Sequence, residues 1–177
     1  MKRLGIAVML CAVMPMAAGA QTAVTFDKPT LTPEARKALR AALNGIVGEY
    51  AGVALYAKTV QKFGKVQPYS RLLGEEVKQR SALQKVFQKY GVAYSENPFL
   101  KKAKAPASLK QAAGYGIQLA EGNIALYNKL LPDVAEYPDI TRLFQKMQAE
   151  TRDVHLSLLR TAEANGGVML RRSRWSH

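Results

Sequence analysis

From Thr32 onward the apolar residues recur at helical spacing, and that single pattern excludes most folds. Leu39, Leu43, Ile46, Tyr50, Val53, Ala57 and Val60 follow one another at alternating steps of four and three. This is the seam of a helix packed lengthwise on its neighbours. Nowhere do five or more residues alternate cleanly between apolar and polar, so no strand is expected.

Start and stop signals divide the chain into four helices. The first opens at Thr32-Pro33-Glu34, with a capping hydroxyl, Pro at the first helical position and an acid in the first turn, and ends at Gly64 after Lys62. The second starts near Ser70, after Pro68, and stops at Gly91; its seam is Leu73, Glu76, Gln79 or Arg80, Leu83, Phe87 and Tyr90. The third covers residues 108–131 and ends at Pro132. The fourth opens at Pro138 and continues to about Ala164, where Asn165-Gly166-Gly167 closes it.

Short connections around 64–68 and 132–137 pair the first helix antiparallel with the second, and the third with the fourth. The stretch 92–107, with Pro98 and Pro106, is long enough to run the length of a helix. The expected fold is all-α: an antiparallel four-helix bundle over residues 32–165, two helical hairpins joined by a long connection. A crossover and a simple up-and-down order both fit these lengths. Gly45, Gly48 and Gly52 in the first helix, and Gly114, Gly116 and Gly122 in the third, read as points of close helix approach.

Ahead of the bundle, Lys2 and Arg3 precede an uncharged apolar run from Leu4 to Ala18, and Ala18-Gly19-Ala20 supplies small residues at cleavage offsets. That order is a secretory signal peptide, residues 1–20, cleaved after Ala20. Residues 21–31 form an N-terminal extension, and the expected location is periplasmic or secreted. The single cysteine, Cys11, falls in the signal segment, so the exported part has no disulfide to form and must rest on a packed core. Its 157 residues suit one domain, which at that size buries roughly 70% of the unfolded chain's surface.

The full chain carries a formal charge of +13, and the exported part +11. Such a field attracts anionic cell-envelope polymers or lipids. The cations are scattered over all helices, which equally suits simple solubility, and no specific nucleic-acid signature is present. Residues 166–177 form a basic tail with Arg171, Arg172, Arg174 and Trp175. No nucleophile-and-base arrangement, phosphate-cradling glycine loop or Cys/His zinc pattern occurs, so no catalytic residue is assigned.

The seams carry acids. Glu49 lies between Ile46 and Val53, Glu76 between Leu73 and Leu83, Glu121 between Ile117 and Ile124, and Glu150 between Met147 and Val154. Each helix thus offers one acid near its middle, with Glu49 level with Glu76 and Glu121 level with Glu150. Buried carboxylates cost several kcal/mol unless compensated, and four at one depth require a cation among them. With His155, the sole imidazole in the bundle, they form a candidate set for a divalent metal such as iron, manganese or zinc. Against that stands a metal-free reading, with each Glu at a helix flank reaching solvent or a neighbouring Lys or Arg.

Several segments resemble a known group of proteins: Glu49-Tyr50, Leu55-Tyr56, Lys62-Phe63-Gly64, Phe87-Gln88-Lys89-Tyr90-Gly91 and Asn123-Ile124-Ala125-Leu126-Tyr127-Asn128. They look like a prokaryotic, exported branch of the ferritin-like superfamily, catalogued as a domain of unknown function, over about residues 31–164. The resemblance implies a four-helix bundle and, for the superfamily, a carboxylate-bridged metal pair used in oxidase, peroxidase or iron-storage chemistry. Two positions depart from that pattern. Glu76 is followed three residues later by Gln79 where His is usual, and the residue three before His155 is Arg152 where an acid is usual. An amide is a poor iron ligand, and an arginine could itself neutralise the acids. The expectation is therefore a partial or degenerate metal site that binds metal rather than performing di-iron catalysis, or a vestigial one in which Arg152 substitutes for the missing charge. The rival expectation is a non-enzymatic cationic scaffold.

Overall fold

The computed structural model describes residues 29–169. The expected signal peptide, most of the expected N-terminal extension and the tail beyond residue 169 lie outside the described residues. Within them the protein is a helical bundle with no strand. Its helices are α1 (Pro33–Asn44), α2 (Glu49–Phe63), α3 (Tyr69–Lys89), α4 (Leu109–Leu130), α5 (Pro138–Glu150) and α6 (Leu156–Ala164). A 3₁₀ turn, Pro132–Val134, precedes α5, and a π-helical turn, Thr151–His155, joins α5 to α6 without a break.

The capping signals read from the sequence are in place. Thr32 Oγ1 accepts from the Ala35 amide at 3.2 Å ahead of Pro33, and Ser108 Oγ accepts from the Gln111 amide at 3.1 Å at the start of α4. Gln111 Oε1 reaches back to the Ala107 amide, so two otherwise orphaned donors are satisfied at one helix start.

The first helix differs from the expectation. It breaks between Asn44 and Glu49, and Ile46, placed on the seam by its spacing, is 83% exposed. Gly45 and Gly48 are the cause. A Cβ on either would overlap the carbonyl oxygen of Ala41 or Ala42, so only glycine lets the chain fold back this tightly on the end of α1. These two glycines make a break rather than a helix–helix contact. As a result Glu49 becomes the first residue of a new helix.

The connection 92–108 is tied along α2 by side chains. Near the start of α2, Tyr50 Oη donates to the Ser95 carbonyl (2.5 Å) and Asn97 Nδ2 donates to the Tyr50 carbonyl (2.7 Å). At its end, Lys62 Nζ donates to the Pro106 carbonyl at 2.8 Å. The connection therefore follows α2 from its first turn to its last.

Two apolar cores are separate. One gathers Leu39, Leu43, Tyr50, Leu83, Phe87, Tyr127, Phe144 and Met147, with further residues of α1. The other gathers Tyr56, Tyr69, Leu72, Ala112, Ala120, Leu156 and Leu159. On α3 the residues between them are Glu76 and Gln79; on α4, Asn123; across the π turn, Thr151 and His155. A buried polar layer thus divides the bundle, and Glu49 belongs to it.

Candidate functional site

At the centre of this layer are Glu49 and Glu76, 1% and 7% exposed, and His155, 1% exposed. Glu49 Oε1 accepts from Tyr127 Oη at 2.8 Å and from Asn123 Nδ2 at 3.3 Å, while its Oε2 has no hydrogen-bond partner. Asn123 also donates to the Val47 carbonyl (3.0 Å) and accepts from Thr151 Oγ1 (3.2 Å), so the glycine break, α4 and the π turn all hold Glu49's partner. Glu76 Oε1 lies 3.4 Å from His155 Nδ1, and Glu75 Oε2 lies 3.1 Å from His155 Nε2. Both contacts are at ion-pair distance, and Nε2 makes no hydrogen bond. Among the described residues, His155 is the one basic side chain within ion-pair distance of Glu49 or Glu76.

The electrostatics follow. Burial first, and the neighbouring Glu76 carboxylate second, push the Glu49 carboxyl well above its ordinary 4.5 despite the Tyr127 and Asn123 bonds. Burial pulls the His155 imidazole down, but its contacts with Glu76 and then Glu75 outweigh that and leave it above 6.5. Burial, with Glu49 and Glu76 nearby, also pushes the Tyr127 phenol well up, so it stays a hydrogen-bond donor. At Gly52, one turn along α2, a Cβ would overlap the Glu76 carboxylate, so the absence of a side chain there is what lets Glu76 lie flat against α2. A void of about 10 Å³ adjoins Gly48, Gly52, Tyr56, Glu76, Asn123 and His155. It has room for roughly one water-sized body.

The other expected site residues lie elsewhere. Glu121 is exposed and paired with Arg160 at 3.0 Å. The buried stripe of α4 is Ala112, Gly116, Ala120, Asn123 and Tyr127, so Ile117 and Ile124 mark its edge, and Asn123 takes the inward position assigned to the acid. Glu150, with a side chain 43% exposed, accepts from Gln79 Nε2 at 3.0 Å and lies 3.8 Å from Lys146 Nζ. It lines a surface cleft of about 370 Å³ together with Glu75, Lys78, Gln79 and Met147. Met147 and Thr151, four apart, are the inward positions at the end of α5, which leaves Glu150 on its flank; beyond them the extra residue of the π turn shifts the inward register from Val154 to His155. Arg152 points to the surface and pairs with Asp153 at 2.9 Å, so it does not replace a charge among the acids. Gln79 is buried beside the layer and engages Glu150, not Glu49 or Glu76.

Sequence reasoning missed Glu75, Asn123, Tyr127 and Thr151. Asn123 and Tyr127 carried a signal, since a spacing of four puts both on one face within a distinctive run. Among the described residues, no three His, Cys, Asp or Glu side chains are disposed as a ready-made metal cage. Compared with protein-family models, curated proteins and solved structures, the chain has no significant match in any of the three.

Proposed function

We propose that the protein is a ferritin-like metal-binding protein of the periplasm or extracellular space, taking one divalent cation between Glu49 and Glu76 rather than a metal pair. The observation that carries this reading is a buried acid pair whose one basic neighbour is His155, and in which Glu49 Oε2 accepts no hydrogen bond. Two apolar side chains would fill that volume at less cost. The donor set of two carboxylates and an imidazole suits iron, manganese or zinc. Glu75 against His155 is the kind of outer carboxylate that fixes the ring of a metal-binding histidine. Such a cation would supply charge compensation between the acids. The chain's own part is to release a proton from Glu49, keep Tyr127 donating and close the site with the two cores. With Glu121 and Glu150 outside the layer, a second metal lacks carboxylates, which favours binding over di-iron catalysis.

Two observations support the ferritin-like arrangement. α1–α2 and α5–α6 pass from the Leu39 core to the Tyr56 core, whereas α3 and α4 pass the other way. That order fits two antiparallel hairpins joined by a crossover, and a connection running along α2 is in keeping with it. Calorimetric titration of the metal-stripped protein with manganese, iron(II) or zinc is the test. One equivalent should bind the parent and none should bind Glu76→Gln. Equal uptake by both would contradict the proposal.

A further inference from the structure

Tyr50 also lines a separate pocket, of about 340 Å³, between α3 and the connection 92–108. Arg80, Gln84, Glu96, Asn97 and Lys101 line it with Tyr50. Its walls are fixed. Tyr50 Oη accepts from Gln84 Nε2 at 3.2 Å while donating to Ser95, and Asn97 uses both ends of its amide, on Tyr50 and on the Phe99 amide. Arg80 is the anomaly. Its Nε is buried without a hydrogen-bond partner, and among the described residues no carboxylate lies within ion-pair distance of its guanidinium.

A buried guanidinium donor without an acceptor carries an uncompensated desolvation cost. Nε itself is shut off from solvent, but the rest of the Arg80 side chain lines a pocket with a second cation, Lys101, and one acid, Glu96. The local excess is one positive charge. The two terminal nitrogens of an arginine form an edge that matches two oxygens of one anion. A volume near 300 Å³ is the small end of ligand pockets. We infer that this pocket binds the oxyanion head of a small molecule, a carboxylate or a phosphate, against Arg80 and Lys101. The site is independent of the buried acids, and it localises part of a positive charge that the sequence shows only as scattered.

Titration of the isotopically labelled protein by NMR, with inorganic phosphate in one arm and acetate in the other, tests it. The expected result is a saturable shift of the Asn97, Leu100 and Lys101 amides with at least one anion, and the tighter arm names the head group. Arg80→Gln should weaken binding by about tenfold or more, and Arg80→Lys by less, because charge survives without the two-nitrogen edge. Added chloride should weaken it further. Lys101→Gln, at an exposed position, should cause a smaller loss and covers the case in which Arg80 variants fail to fold. Glu76→Gln should leave anion binding unchanged. Linear, non-saturating shifts with both anions, or binding untouched by Arg80→Gln and Lys101→Gln, would overturn the inference.

Discussion

Glu49 is satisfied on one carboxyl oxygen and orphaned on the other, so a neutral amide should suit the metal-free fold better than the acid. Glu49→Gln keeps an acceptor for Tyr127 and removes a carboxyl that ionises only at a cost. The expected outcome is a rise of about 1–3 kcal/mol in chemical-denaturation stability near pH 8, with metal-induced stabilisation lost. Gly52→Ala tests the same carboxylates from the other side. Its methyl group would occupy the place of the Glu76 carboxylate, so the thermal shift produced by metal should shrink or vanish while the helical circular-dichroism signal remains. Glu76 was legible in the sequence from its helical spacing to Leu73 and Leu83, and His155 as the sole imidazole of the bundle, whereas Glu49 was placed partly by Ile46, which faces solvent. Glu121 has neighbours of the same kind and still faces out. On α4 the true buried stripe is built of Ala112, Gly116 and Ala120, whose small side chains leave little hydropathy signal.

The break at Gly45–Gly48 and the π turn at Thr151–His155 place the site's side chains on their elements. Neither was visible in the apolar periodicity. The glycines are compatible with a packed helix, and a π turn shows in sequence only as a one-residue slip of register. Helix starts at Thr32, Ser108 and Pro138 were legible, because caps and proline act through local chemistry that tertiary packing does not alter. Deleting the exposed Asp153 should convert the π turn to regular α-helix, since such turns hold one extra residue. Overall helicity should persist by circular dichroism. Thr151 and His155 would then stand three positions apart and still share one face, so calorimetry should show metal affinity kept to within a few-fold.

For the whole molecule, the polar layer couples folding to pH. Glu49 and His155 both have folded pKa values above their ordinary 4.5 and 6.5, so the folded chain holds more protons than the unfolded one above those values. Stability of the metal-free protein should therefore fall as pH rises from about 4.5, and go on falling through neutrality until both groups have lost their protons in the fold. Denaturation midpoints between about pH 5 and about pH 8 measure this, and Glu49→Gln should flatten the slope. A bound cation displaces those protons, so its stabilising effect should instead grow with pH. A helical bundle was readable at this scale from helix count and loop length, whereas the run of the connection along α2 became evident only from the ties at Tyr50 and Lys62. Anomalous diffraction from crystals grown with manganese or zinc tests the central claim most directly. One strong peak between the carboxylates of Glu49 and Glu76, with His155 beside it, is the expected result; no peak there, or two, would contradict it.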